Sequence, residues 1–349
     1  MGFLETIQQC EPTDGKSMEA AKKRWDSIAK PLHSLGMLED YIIRIAGIEG
    51  RNDVDISKKA LIVMCADNGI VEEGVTQTGQ EVTAIVAENF LSKRATASIL
   101  CAQTGAQIFP VDIGMVVDTK VPSRKVGYGT HNFVKEPAMS REEAIQAIET
   151  GIQMVRELKE QGFTLLATGE MGIGNTTTSS AVASVLLGEP VDRMTGRGAG
   201  LSSEGLKKKI QVIETAIHKY HLTKEDPLDV LAKVGGFDIA GMAGVFLGGA
   251  LYKIPVVIDG FIASVAALVA ARIQPLAAEY MLPSHVSEEP AAGLLLEALG
   301  LEPLLHAHMC LGEGTGAVTL FPFLDMAAAV YSQMTTFSDI EIDDYVPLD

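Results

Sequence analysis

Two hydrophobic periods alternate along most of the chain. From residue 60 onward, short apolar runs of strand length recur, each followed by a stretch with helical spacing. ALIVMCAD (60–67) is continuously apolar until it ends in a carboxylate, which is the pattern of a strand covered on both faces. QIFPVDIG (107–114), FTLLATGE (163–170) and IPVVID (254–259) repeat it, and AAEYML (277–282) and LHAHMC (305–310) are further strand candidates. Between them the spacing predicts helices over about 81–103, 140–162, 175–188, 203–220, 239–251 and 261–272, with a last helix from near Gly316. Ser140 and Glu143 form a capping box at the head of the second of these. Strands alternating with helices predict an α/β fold, with a mostly parallel, Rossmann-like sheet covered on both faces.

Residues 1–55 break this pattern. They are polar, with helical spacing over 18–29 and 35–48, a Pro31 between, and no strand signal. The expected organisation is a small helical domain over 1–55, completed by the C-terminal helix at about 318–349, and a large α/β domain over 56–317 that holds the cleft. The acidic end SDIEIDDYVPLD (338–349) reads as a solvated tail.

Composition narrows the partners. Hydrophobic residues make up 47% and charged residues 21%, a globular balance that excludes a disordered chain. The net charge of −17 repels a phosphate backbone, so no nucleic-acid partner is expected. An anionic substrate must then be held by local dipoles rather than by the overall field. Lys253 and Asp259 cut the most apolar stretch, 239–271, into runs too short to span a bilayer, so no membrane association is expected. The first residues lack the basic and apolar regions of a secretory leader. Cys10, Cys65, Cys101 and Cys310 form no CxxC pair and read as reduced, mostly buried thiols of a cytoplasmic protein. Glycine, at 34 of 349 residues, exceeds the usual ~7% without a collagen period, so the excess belongs to loops that let something approach the backbone.

In an open α/β sheet, ligands bind at the carboxyl ends of the strands. Three glycine-rich loops stand out, two of them after such ends and one before a helix. In GEMGIGNTTT (169–178), Gly172 and Gly174 admit a ligand, and Asn175 and Thr176 open a helix whose free N–H groups suit an anion. No Lys follows, so it is not a P-loop, and Thr177 stands where a dinucleotide fingerprint needs glycine. The bland alternative is a strand–turn–helix with a good N-cap. TGRGAG (195–200) precedes a helix with Lys207, Lys208 and Lys209, which is either a phosphate site or a solvated lysine run. In LGEGTGA (311–317), Glu313 stands alone between glycines. A dry cleft would raise its pKa toward that of a general base, although such a glutamate can also hold its own loop. His285, beside Ser284, Ser287 and Glu288, is a second candidate base or a helix-entry residue. The sequence has no GxSxG, no HExxH and no clustered metal ligands, so neither metal nor cofactor is expected.

With these loops in place the chain resembles the nicotinate-nucleotide–dimethylbenzimidazole phosphoribosyltransferase family, which assembles the lower ligand of cobalamin. The matching stretches are ADNGIVEEGV (66–75), VTAI (82–85), GEMGIGNTTTSSA (169–181), GRGAG (196–200), GGFDIAGMAG (235–244), VVIDGFIAS (256–264) and LGEGTGA (311–317). The resemblance implies metal-independent transfer of 5-phosphoribose from nicotinate mononucleotide to 5,6-dimethylbenzimidazole. The products are α-ribazole 5′-phosphate and nicotinate, with inversion at the anomeric carbon. It implies Glu313 as general base and phosphate or ribose contacts at Gly174, Asn175, Thr176, Thr177, Gly198 and Lys209. The base pocket falls on Thr78, Val86, Glu170, Met171 and Leu311, with Asp259 and Ser287 as further candidates. It also implies a homodimer in which the partner's small domain helps close the cleft. The chain departs from the family pattern at Asn68 for an expected His, Thr78 for Ser, Val86 for Gln, and His33 where Gly is common. Losing the Gln amide opens the choice of acceptor to another benzimidazole, a purine or a phenol. Two rival readings are a non-catalytic nucleotide-binding module, which the presence of Glu313 opposes, and a nicotinamide oxidoreductase, which the missing third glycine opposes.

Overall fold

Strands β1 (Lys59–Ala66), β2 (Gln107–Gly114), β3 (Leu165–Met171), β4 (Val256–Ile258) and β5 (Met281–Pro283) form one sheet in the order β2-β1-β3-β4-β5. Every pairing is parallel. The structure is a computed structural model and describes residues 2–343 and 345. Side chains of β1 alternate between two cores, as the two-residue period of a strand requires. Ala60, Ile62 and Met64 face the helices Arg141–Glu160, Phe237–Tyr252 and Phe261–Ile273. Leu61, Val63 and Cys65 face the helices Glu81–Leu91, Thr96–Thr104 and Thr315–Gln333. Both faces are covered, which explains why β1 reads as one unbroken apolar run.

The helices Gly15–Ser27 and Met37–Glu49 pack into the second core, where Trp25, Ile42 and Ile45 meet Phe321, Leu324 and Tyr331. Arg24 ties this layer to the C-terminal helix by donating to the carbonyls of Tyr331 (3.2 Å) and Met334 (3.0 Å). Thr315–Gln333 is long and apolar enough by composition to cross a membrane, but half of it is buried, and its Asp325 pairs with Lys59 at 2.8 Å. It serves as a core helix here.

Three sequence expectations need correction. The helix expected over 81–103 is two helices, broken where Lys93 turns left-handed (φ 59°). Of AAEYML only Met281 and Leu282 are strand. Pro275 and the Gln274 side chain, which accepts the Leu276 N–H, wind Pro275–Tyr280 into a 3-10 helix. LHAHMC is no strand: a single parallel bridge joins Leu305 to His285, and His306, Ala307 and His308 lie exposed. The capping box is present, with Ser140 Oγ accepting the Glu143 N–H (3.1 Å) and the Ser140 N–H donating to Glu143 (2.7 Å). Of the acidic end, residues 338–343 and Tyr345 are exposed, while 344 and 346–349 lie outside the described residues.

Candidate active site

β1 lies between β2 on one side and β3 on the other, so the direction of winding reverses there, and doubly wound folds bind ligands beside such a switch point. A cleft of about 350 Å³ opens at the carboxyl ends of β3, β4 and β5. Its walls include Val86, Glu170, Met171, Asn175, Thr176, Gly198, Asp259, His285, Ser287, Glu289, Leu311 and Glu313. Glycine-rich loops that lie far apart in sequence therefore share one space. A second cavity, of about 440 Å³ and lined by Thr13, Tyr41, Arg44 and Glu302 among others, lies away from these loops.

The Glu313 loop is built on unusual backbone. Gly312, Glu313 and Gly314 are all left-handed, with φ of 87°, 61° and 85°. Glycine takes this conformation freely and glutamate does not. Gly314 could not be otherwise, since a Cβ there would lie 2.3 Å from Leu61 Cδ1. The half-buried Glu313 carboxylate accepts the Ala97 N–H at 3.2 Å, in the first turn of the helix Thr96–Thr104. That helix end has no side-chain cap from its own Ala95, so Glu313 supplies one. Burial pushes the Glu313 carboxyl above its ordinary value, the Ala97 bond pulls it back, and the Asp259 charge adds to the rise.

Asp259 leaves β4 buried, with its carboxylate turned into the head of the helix Thr315–Gln333. Oδ1 accepts the N–H groups of Gly316 (2.8 Å) and Ala317 (3.1 Å), and Oδ2 accepts that of Gly314 (3.1 Å). The positive end of this helix is therefore already neutralised and cannot also hold an anion.

A second glycine-headed helix at the cleft, Asn175–Leu187, differs. Gly174 precedes it at φ 95°, and among the described residues no side chain caps it. Thr176, in its first turn, accepts from Lys209 Nζ at 2.9 Å; the same ammonium donates to the Gly196 carbonyl at 3.2 Å. Gly198 packs so closely on Thr176 that a Cβ would stand 2.8 Å from its Oγ1. Lys209 is almost fully buried, and loss of solvation lowers its pKa to about 8, against an opposing pull from Glu289. The Asn175 and Thr177 N–H groups already donate to the Gly172 (3.1 Å) and Gly174 (2.9 Å) carbonyls, so the Thr176 N–H and hydroxyl, glycine backbone and a buried cation are what suit a phosphate here.

Behind the cleft lies a buried acid–amide network. The Asn175 amide donates both to Glu170 and, at 3.0 Å, to Asp238. Burial raises Glu170 to about 8, helped by the Asp238 charge, and raises Asp238 to about 6. Asn68 is fully buried here, with its Oδ1 unpartnered among the described residues.

The residues singled out in sequence fall into three groups. Val86, Glu170, Met171, Asn175, Thr176, Gly198, Asp259, Ser287, Leu311 and Glu313 all line the cleft. Gly174, Thr177 and Lys209 stand just behind its wall, Lys209 reaching it through Thr176. Thr78 is exposed in the loop before the helix Glu81–Leu91 and is not part of the lining. His285 does line it, but its Nδ1 is engaged with Ser284 Oγ at 3.0 Å. Sequence reasoning missed Ala97, Asp238 and Glu289. Asp238 could have been found as a lone carboxylate in an apolar helix; the Ala97 N–H, a backbone group, left no signal. Of the four thiols, Cys10, Cys65 and Cys101 are buried and Cys310 is exposed at the cleft.

A family model described as phosphoribosyltransferase matches residues 10–342. The nicotinate-nucleotide–dimethylbenzimidazole phosphoribosyltransferase of Ruminiclostridium cellulolyticum is 49% identical over the full length of both chains. That of Acetivibrio thermocellus is 50% identical over 99% of each. The crystal structure of CobT from Thermus thermophilus superposes with a TM-score of 0.90 at 37% identity, covering 95% of this chain and all of that one. Fold, cleft and full-length similarity agree: the chain belongs to the nicotinate-nucleotide–dimethylbenzimidazole phosphoribosyltransferase family.

Proposed function

We propose that the protein transfers the 5-phosphoribosyl group of nicotinate mononucleotide to 5,6-dimethylbenzimidazole, in assembly of the lower ligand of cobalamin. The observation that carries the mechanism is the convergence of the Thr176 helix terminus with Lys209, and of the raised Glu313 carboxylate, on one cleft. The donor's phosphate sits at Gly174–Thr177, Gly198 and Lys209, which fixes the sugar. The base pocket is formed by Val86, Glu170, Met171 and Leu311, with Ser287 at its edge. One acceptor nitrogen attacks the anomeric carbon with inversion. The bond to the nicotinate ring nitrogen breaks, and its electron pair leaves with nicotinate. Glu313 takes the proton from the acceptor's other nitrogen, so that the product is neutral at the new ring. Holding donor and acceptor in register supplies much of the rate by removing their freedom to separate.

Val86 is half-buried and apolar where the family resemblance leads one to expect an amide. The acceptor is therefore read by shape more than by a side-chain hydrogen bond at that wall, which favours apolar-edged benzimidazoles over purines. We also propose a division into a small helical unit, residues 1–55 with the helix Thr315–Gln333, and a large unit over the residues between. The Arg24 bonds to Tyr331 and Met334 support it. A homodimer is the assembly we favour. The supporting feature is the exposed apolar side chains Ile85, Leu91 and Ile99 on neighbouring helices, and sedimentation at micromolar concentration tests it. The four free thiols support a cytoplasmic location.

The catalytic assignment is tested by Glu313→Gln, which keeps the shape and removes the base. Turnover falls at least about 100-fold, while the dissociation constant of nicotinate mononucleotide stays within about two-fold. Near-full turnover of this variant contradicts the role given to Glu313.

A further inference from the structure

The left-handed conformation of Glu313 has to be imposed from outside, because a glutamate flanked by two glycines gains nothing locally by adopting it. Two carboxylates from different strands reach the loop. Asp259, following β4, accepts the N–H groups of Gly314, Gly316 and Ala317, so that it grips the chain immediately after Glu313. Glu170, on β3, packs against Gly312 so closely that a Cβ there would stand 2.3 Å from its Oε1. The far side of Glu170 is fixed by Asn175, and Asn175 by Asp238. β3 and β4 are paired neighbours, so both carboxylates stand on one rigid frame.

We propose that Asp259 and Glu170 are positioning residues that suspend the Gly312–Glu313–Gly314 turn from the sheet and so aim the Glu313 carboxylate into the cleft. This rests on Glu313 being the general base. Neither residue needs to touch the reacting atoms for this purpose. The titratable groups facing the turn are Asp259, Glu170 and His285, whose ring packs against Gly316; the helix Thr96–Thr104 presents backbone N–H.

The test is Asp259→Asn in the full-length enzyme, with Glu313→Gln measured beside it. The asparagine oxygen can replace Oδ1, but its NH₂ then meets the Gly314 N–H donor to donor. Expected is a kcat lower by about 10- to 100-fold with the KM for nicotinate mononucleotide within about two-fold, because the donor is held at a separate loop. The acid limb of kcat moves to lower pH, since removing the Asp259 charge lowers the Glu313 pKa. Wild-type kcat with an unmoved limb overturns the proposal, as does a loss of kcat that tracks a lowered melting temperature with the limb unmoved. If Asp259→Asn does not fold, Glu170→Gln is read by the same kcat-against-KM split. With its oxygen kept on the Asn175 amide, its NH₂ replaces the Oε1 that packs against Gly312 and turns a donor toward the loop. An active Glu313→Gln enzyme overturns the base assignment and this proposal with it. An inactive one beside a fully active Asp259→Asn overturns this proposal alone.

Discussion

At the residue scale, conformation and charge are spent where the chemistry lies. Among the described residues, seven that are not glycine adopt positive φ, and of these only Glu313 lines the cleft. His33 is another (φ 56°), in a conformation that glycine would adopt at less cost. Two titrations bound the working range. Glu313 must be ionised to accept a proton, and burial raises its pKa, so turnover rises with pH through a midpoint above the ordinary carboxylate value of ~4.3. Lys209, lowered to about 8, loses its charge as pH climbs past that value. The KM for the nucleotide therefore increases above about pH 8 while kcat at saturation holds, and pH-dependent steady-state kinetics check both limbs. A KM that stays flat far into the alkaline range contradicts the phosphate role of Lys209. Glu313 was legible in the sequence because an isolated carboxylate between glycines needs a reason. Asp259 was legible only as a strand end. Its bonds to residues 314–317 join points far apart in the chain, and no local pattern records them.

At the element scale, β1 and β4 were readable because both their faces are buried and their apolar runs are continuous, while β2 and β3 were readable from shorter apolar runs that end in a turn. The break at residues 92–95 was not, because LSKRA contains neither glycine nor proline to mark it. That break matters, since it creates the helix end that holds Glu313. LHAHMC misled because it alternates apolar and polar residues like a strand, yet only Leu305 finds a pairing partner. The tightest contact between elements is the crossing of Arg141–Glu160 with Phe237–Tyr252. A Cβ on Gly151 would lie 2.0 Å from the Gly241 carbonyl oxygen, and one on Gly244 would lie 1.9 Å from that of Ile148. Backbone cannot yield there, so Gly151→Ala costs about 3 kcal/mol in denaturant unfolding, at the upper end for overpacking. A loss below about 0.5 kcal/mol shows that the helices slide apart at little cost.

At the scale of the whole molecule, the net charge of −17 opposes capture of an anionic donor, and the buried Lys209 site must overcome that field locally. Raising ionic strength from about 0.01 to 0.15 M screens the repulsion, so kcat/KM for the nucleotide rises modestly. A steep fall instead means that an unrecognised basic surface steers the donor. The buried acids also shape stability. Glu170 and Asp238 are raised to about 8 and about 6, so between the ordinary carboxylate range and pH 8 the folded state holds more protons than the unfolded chain. Their contribution is complete at low pH and is lost as pH rises through those values. The melting temperature accordingly declines from about pH 5 to pH 8, and Glu170→Gln flattens the decline.

The central claim is phosphoribosyl transfer with Glu313 as the base. Its most direct test combines the purified enzyme with nicotinate mononucleotide and 5,6-dimethylbenzimidazole, with EDTA present, and follows both products by chromatography. The account predicts nicotinate and a benzimidazole α-ribonucleotide 5′-phosphate in equal amounts, and neither above background with Glu313→Gln. Nicotinate released without the new nucleotide, or donor bound and never turned over, contradicts it.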